Sequence, residues 1–234
     1  MLYPLPTNAL PFLILGIVAT TLGLRGLFFY KKSKLPLSLY YSLAIFLIGL
    51  STLWYSVPFV FTRSSEALKV AINIGDMFYY ASILVAVRIV WYLGFNKKIS
   101  FLWLLVPYLL IIIACEIAII NSWGSIQYQF YADSAYFPVV PLASKLFAAM
   151  SSAYIFVGYL TIRQAHAIKD LRQKIRLNSI GLGFLAGGIV AIYNYLFLQG
   201  NSSGSVVMIG YIAIAAILFT GIFIVSRKKI SSKS

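Results

Sequence analysis

A carboxylate inside an otherwise apolar stretch is the residue of this sequence with the clearest chemical potential. Asp76 lies within the run Leu68–Gly94, which is long enough to cross a lipid bilayer as a helix. Asn73, Asp76 and Tyr80 are spaced by three and four residues, so they share one face of that helix. A carboxylate at membrane depth costs roughly 2.5–3.5 kcal/mol on insertion scales, and it normally faces protein or a water-filled cavity. The stripe therefore predicts a polar site inside a membrane-embedded bundle.

The composition places the chain among polytopic membrane proteins. Of its 234 residues, 61% are hydrophobic and 10% are charged, whereas a soluble domain carries about 25% charged residues. The formal net charge is +14, and the basic residues cluster at the ends of the apolar stretches. This placement favours contact with anionic lipids over binding of nucleic acid. A single cysteine, Cys115, and a single histidine, His166, cannot build a metal site of the His/Cys type, so we expect neither a metal nor a cofactor.

Seven apolar stretches are long enough to span a membrane. No connection between them has room for a soluble domain, so the sequence predicts one all-α seven-helix bundle covering residues 1–234. The predicted spans are Leu10–Tyr30, Pro36–Phe61, Leu68–Gly94, Ile99–Ile120, Phe137–Arg163, Asn178–Leu198 and Val206–Ser226.

The distribution of lysine and arginine predicts the orientation of the bundle. Fifteen of the 19 cations lie at the ends of spans one and five, in the connections after spans one, three and five, or in the C-terminal tail. Only Arg63 and Lys69 lie on the opposite side, and Arg88 and Lys145 fall within spans. The positive-inside rule then places the N-terminus outside and the C-terminus in the cytoplasm, which suits a multi-pass protein of the cell membrane.

Three ionisable groups on three spans are predicted to lie at similar depth in the outer half. With 1.5 Å of rise per residue, Asp76 and Lys145 lie about 12 Å from the outer edge and Glu116 about 6 Å from it. Lys145 would pair with Asp76 or Glu116. Three interpretations remain open: an outward-facing ligand pocket, a structural ion pair without a ligand, and an unrelated placement in which Glu116 reaches the lipid headgroups. Further polar and aromatic residues predicted in the same layer are Asn73, Tyr80, Asn194, Trp54 and Tyr55.

The sequence argues against the catalytic chemistries that membrane helices commonly support. The seventh span has no lysine to carry a retinal Schiff base, and no span contains a second aspartate to share a proton with Asp76. The only histidine, His166, lies on the predicted inner side, away from the outer carboxylates, so it cannot serve as their base. We therefore expect a protein that is not an enzyme.

Small residues on span six predict close helix packing. Gly183, Gly187 and Ala191 recur every four residues, and such a stripe lets two helix backbones approach each other. We expect this packing to occur inside the bundle.

The outer connection between spans four and five, residues 121–136, is rich in aromatic residues. Ile126, Tyr128 and Phe130 alternate with more polar residues. Two interpretations are open: a short β-hairpin that covers the pocket, and an aromatic belt at the headgroup level.

The inner connection between spans five and six is strongly basic. Two interpretations are open: a basic extension of span five into the cytoplasm that binds a partner or anionic lipid, and a solvated loop that only sets the orientation. The cations of this connection are Arg163, Lys169, Arg172, Lys174 and Arg176.

Spans five and six carry a resemblance to a known family. A basic connection with Gln173 between cations, followed by a glycine-rich span that ends near Asn194, resembles the N-terminal seven-helix region of certain bacterial sensor histidine kinases. The aromatic outer connection is also similar. The 234 residues contain no kinase domain, so the resemblance implies a sensor-like module that acts through a separate output protein.

Three functions follow as hypotheses. The leading one is a sensor or receptor-like protein that binds a ligand in its outer half and signals through its basic cytoplasmic face. The alternatives are a small secondary transporter or proton-coupled carrier, and a structural subunit of a membrane complex. A transporter is disfavoured because the predicted inner halves of the spans are almost purely apolar.

Overall fold

The chain folds almost entirely into helices. The computed structural model describes residues 3–95, 98–126, 129–130, 135–136, 140–197 and 205–221. The helices are α1 (Leu10–Ser33), α2 (Pro36–Trp54), α3 (Pro58–Phe61), α4 (Ser65–Val90), α5 (Leu102–Asn121), α6 (Pro141–His166), α7 (Leu171–Phe197) and α8 (Ser205–Phe219).

Six helical segments in the described ranges are long and apolar enough to cross a membrane. They contain α1, α2 with α3, α4, α5, α6 and α7. The described part of the last helix, α8, is apolar but only 15 residues long. The prediction of an all-α protein is thus confirmed, and the length and apolar composition of its helices support the prediction of a multi-pass membrane protein.

The predicted second span is broken near its end, and the cause is Pro58. Proline has no N–H to donate to the carbonyl of Trp54, and its ring hinders a continuous helix. Helix α2 therefore ends at Trp54, and α3 begins at Pro58. The break leaves Tyr55 directly after the end of α2, where its N–H still donates to the Ser51 carbonyl oxygen.

Helix α7 begins seven residues before the predicted start of span six. The side chain of Asp170 accepts hydrogen bonds from the backbone N–H groups of Arg172 (2.8 Å) and Gln173 (3.2 Å), which caps the new helix. Because α6 continues to His166, the connection between the two helices is only residues 167–170. The predicted basic connection is therefore mostly helical, and its cations lie largely on the first turns of α7.

A short hairpin connects α5 to α6. Strand β1 (Gln129–Phe130) pairs antiparallel with β2 (Ala135–Tyr136), with Gln129 opposite Tyr136. The hairpin prediction is confirmed for the backbone. The aromatic-belt alternative depends on side chains outside the described part. Lys97 and the cations of the C-terminal tail, which the predicted orientation counts as cytoplasmic, also lie outside it.

The helices form a closed ring with one helix outside it. Neighbours around the ring are α1, α2, α4, α6, α7 and α8, and a contact between α8 and α1 closes it. Helix α5 packs on the outside against α4 and α6. We call the end of the bundle that carries β1 and β2 the hairpin end, and the opposite end, with the α1–α2 and α6–α7 connections, the basic end.

Glycines of α7 let neighbouring helices approach it closely, but not every glycine that was predicted to pack does so. A Cβ atom on Gly188 would lie 2.7 Å from Ile155 Cγ1 and 3.1 Å from the Ser151 carbonyl oxygen. A Cβ on Gly183 would meet the Leu218 side chain at 2.6 Å, whereas one on Gly187 would meet nothing within 4 Å. The predicted close packing at Gly187 is therefore wrong, since this residue faces open space.

At the basic end, Arg88 lies among aromatic rings. Its guanidinium carbon is 4.5 Å from the centre of the Trp91 ring and 4.6 Å from that of Phe101. Trp91 starts a π-helical turn, Trp91–Phe95, that extends α4. Cation–π contacts of this kind stabilise an arginine that is only partly solvated.

Candidate functional site

The hairpin half of the ring encloses a cavity of about 180 Å³. Helix α4 lines it only from Lys69 to Tyr79, and α6 only from Phe147 to Tyr154. The part of the α5–α6 connection that contains β1 and β2, which we call the hairpin connection, is preceded by Ile126 and followed by Val140. Both of these residues line the cavity. The connection therefore begins and ends at the cavity.

Asp76 forms part of the cavity wall and is 7% exposed. Its Oδ1 accepts a hydrogen bond of 2.5 Å from the hydroxyl of Tyr55, the residue directly after the end of α2. Gly75 makes this approach possible, because a Cβ there would lie only 2.7 Å from the Tyr55 ring. Hydrogen bonds that involve a charged acceptor are among the strongest in proteins.

The predicted partner of Asp76 lies elsewhere. Lys145 is exposed on the outer face of α6, and it is not part of the cavity wall. Within the described ranges no ion pair joins it to Asp76 or Glu116. The predicted ion pair is therefore wrong, because equal depth along two helices does not fix the rotation of either helix about its axis.

A different lysine, which sequence reasoning left out of the site, lines the cavity. Lys69 is 5% exposed, and its Nζ lies 2.7 Å from Glu66 Oε1 and 2.9 Å from the Trp123 carbonyl oxygen. Lys69 precedes Asn73 and Asp76 by four and seven residues, so the same helical spacing extended by one turn would have identified it.

Two asparagines bring unpaired acceptors to the cavity. Asn73 and Asn194 both line it, and the Oδ1 atom of each is buried without a hydrogen-bond donor in the described part of the chain. Asn194 is only 4% exposed. A buried acceptor without a donor costs about 1–3 kcal/mol, which makes such atoms candidates for ligand contacts.

The other predicted pocket residues lie outside the cavity wall. Tyr80 donates to Cys115 Sγ at 3.6 Å and stacks on Phe147 within the core. Trp54 is 36% exposed at the end of α2. Glu116, on α5, leaves its Oε1 buried without a described partner, and its carboxyl group interacts electrostatically with Asp76.

Aromatic rings that sequence reasoning missed make up much of the wall. Phe147 stacks on Tyr195 with ring centres 4.8 Å apart, and Phe12 lies 4.9 Å from Tyr211. The hydroxyl of Tyr79 shares a 2.6 Å hydrogen bond with Ser151 of α6. Such contacts between helices hold the rings in place. Nothing in the sequence distinguishes these aromatics from the many others.

The predicted basic surface lies at the other end of the bundle. Arg163, Lys169 and Arg172 are exposed there, whereas Lys174 and Arg176 are half-buried. The Arg176 guanidinium lies 6.0 Å from the ring centre of Phe29 on α1. The surface is thus continuous with the ends of α6 and α7, which also line the cavity at the hairpin end.

Comparison of the chain with protein-family models, with curated proteins and with solved structures finds no match. The geometry of the cavity is therefore the basis for a functional assignment. Among the described residues, no three side chains of His, Cys, Asp or Glu come together as metal ligands. The arrangement is suited to binding a small molecule through charge, hydrogen bonds and aromatic contacts.

Proposed function

We propose that this protein is a sensor or receptor-like membrane protein of seven spans, with its N-terminus outside and its C-terminus in the cytoplasm. In this orientation the hairpin end faces outward. A small ligand enters the cavity from outside, and the basic end passes the signal to a separate cytoplasmic partner or to anionic lipid.

The observation that carries the proposal is the cavity itself. Structural polar groups in membrane bundles pair with each other across helices. Here Asp76 is paired with Tyr55 across α2 and α4, but Asn73 and Asn194 line about 180 Å³ of open space, and their amide oxygens lack a donor in the described part of the chain. A wall with acceptors of this kind is typical of a binding site.

The elements beneath the cavity supply a route for the signal. Helices α6 and α7 pack with almost no gap through Gly158, Gly181 and Gly188, so they move as a unit. Both helices line the cavity at one end and carry the basic surface at the other. The resemblance to the membrane region of sensor histidine kinases agrees with this arrangement.

The bundle below the cavity supports a sensor over a transporter. Ile83, Val87 and Val157 are at most 1% exposed and fill the space between the cavity and the basic end. A transporter needs a second access path, and the close packing of these side chains supports a sensor instead.

A fluorescent reporter at the basic end tests the proposal. Lys169 is exposed, so a Lys169→Cys variant can be labelled with an environment-sensitive dye and placed in lipid nanodiscs. We expect some members of a library of small amphiphilic molecules to raise the melting temperature and change the dye's emission. The Gly187→Leu variant, which fills part of the cavity, should lose both effects. The Ile189→Leu variant, altered at a lipid-facing residue of the same helix, should keep them.

Two results would contradict the sensor proposal. If every compound that raises the melting temperature or changes the emission still does so in the Gly187→Leu variant, or if no compound has either effect, the cavity is not a ligand site. If an active compound accumulates inside proteoliposomes without a change in emission, the protein is a carrier.

The proposed orientation gives a direct labelling prediction. In intact cells an impermeant thiol reagent should modify a Ser125→Cys variant, whereas a Lys98→Cys variant should react only after permeabilisation. The native Cys115 is 0% exposed and should give little background. Labelling of position 98 but not of position 125 in intact cells would show that the orientation is the opposite of the one proposed.

A further inference from the structure

We infer that the cavity binds an organic cation, namely a protonated amine carried on one aromatic ring or a short aliphatic chain. The inference rests on the proposed function, because it names the class of ligand that the same cavity takes. It is supported by the charge of the wall, by its unpaired acceptors and by the size of the space.

The carboxyl group of Asp76 has no cationic side chain at ion-pair distance in the described part of the chain. This carboxyl group is only 7% exposed. The nearby carboxyl group of Glu116 adds repulsion. A buried carboxylate without a counter-charge is unfavourable, so a cation in the cavity would supply the missing partner.

Lys69 does not supply that partner. Its Nζ is held by Glu66 Oε1 at 2.7 Å and by the Trp123 carbonyl oxygen at 2.9 Å. It also lies seven residues from Asp76 along α4, which corresponds to about 10 Å. The positive charge at the mouth of the cavity is thus already neutralised by Glu66.

The unpaired groups of the wall call for a donor. The Oδ1 atoms of Asn73 and Asn194 lack donors in the described part of the chain, and both residues line the cavity beside Asp76. A protonated primary amine carries three N–H donors and no acceptor. This pattern complements a wall of one carboxylate and two amide oxygens.

The remainder of the wall suits an apolar body of limited size. The stacked pair Phe147 and Tyr195 and the pair Phe12 and Tyr211 provide ring surfaces, and aromatic faces attract cations. The volume, about 180 Å³, slightly exceeds that of an engineered cavity of roughly 150 Å³ that admits benzene. One ring with a short side chain therefore fits.

Three probes of similar shape and different charge test the inference. They are 2-phenylethylamine, 2-phenylethanol and phenylacetate, measured by calorimetry at neutral pH on the full chain in nanodiscs. We expect the amine to bind about tenfold or more tightly than the alcohol, and phenylacetate not to bind. The Asp76→Asn variant should lose the preference for the amine. The Asp170→Asn variant, changed at the exposed carboxylate that caps α7 at the basic end, should retain it.

The outcomes separate the ligand class from the function. Binding of the alcohol or of phenylacetate as tightly as the amine, lost in Gly187→Leu, would overturn the amine inference and leave the cavity as a ligand site. If Gly187→Leu does not weaken amine binding, the result would count against both the amine inference and the cavity as a ligand site. If none of the probes binds at millimolar concentration, the amine inference fails, and the compound library decides the function independently. The comparison of probes on the unaltered chain does not depend on whether any variant folds.

Discussion

Leucine at position 188 is expected to destabilise the protein strongly, whereas leucine at the adjacent position 187 should not. At Gly188 even a Cβ atom would lie within 3.1 Å of the Ser151 carbonyl oxygen and 2.7 Å of Ile155 Cγ1. Helices α6 and α7 would have to separate, which costs about 3 kcal/mol. At Gly187 a Cβ meets nothing within 4 Å, and leucine has the higher helix propensity. The Gly187→Leu variant should therefore melt at the same temperature as the parent or higher.

Thermal unfolding of the two detergent-solubilised variants, followed by light scattering and intrinsic fluorescence, checks this difference. A Gly188→Ala variant should show an intermediate loss, because alanine adds only the first clashing atom. If the leucine variants melt together, the close approach of α6 to α7 is wrong. If Gly187→Leu alone unfolds early, the space at Gly187 is not open.

Replacing Lys69 with methionine is expected to lower the free energy of unfolding by about 1–3 kcal/mol, whereas Lys145→Met should change it by less than about 0.5 kcal/mol. Lys69 is 5% exposed, and its Nζ donates to the Trp123 carbonyl oxygen. Without that donor the start of the hairpin connection loses its tie to α4. Lys145 is exposed on α6 and contributes nothing to the interior.

Reversible unfolding in mixed micelles gives both values, and the two methionine variants control for each other because each removes one lysine. A Glu66→Gln variant should lose less than Lys69→Met, since the bond to Trp123 remains. A larger loss for Lys145→Met than for Lys69→Met would mean that the lysine positions are assigned to the wrong faces. In addition, Asp76→Asn and Lys145→Met should have additive effects, because the two residues do not meet.

The sequence alone determined the class of the protein and the position of the central site along the chain. Apolar runs of about 20 residues are sufficient to predict membrane-crossing helices, because the thickness of the bilayer sets their length. The spacing of Asn73 and Asp76 placed them together on α4, since the period of a helix is fixed. Both residues line the cavity.

The ends of two helices were predicted incorrectly, although local sequence signals set them. The missing donor of Pro58 ended α2 before the apolar run was over, and the cap at Asp170 started α7 early. Both effects are local and could have been read from the sequence. The first of them lies close to the site, because Tyr55, directly after the end of α2, donates to Asp76.

Only the tertiary structure decided which residues face one another across the bundle. Hydropathy and depth fix the height of a residue on its helix, but the rotation of an apolar helix about its axis leaves little trace in the sequence, since all its faces are hydrophobic. For this reason Lys145, matched in depth to Asp76, lies outside, and Lys69, counted as a loop cation, lies inside. The same rotation places Gly188 against α6 and leaves Gly187 facing the cavity. Packing between helices, which depends on contacts far apart in the chain, settles that rotation.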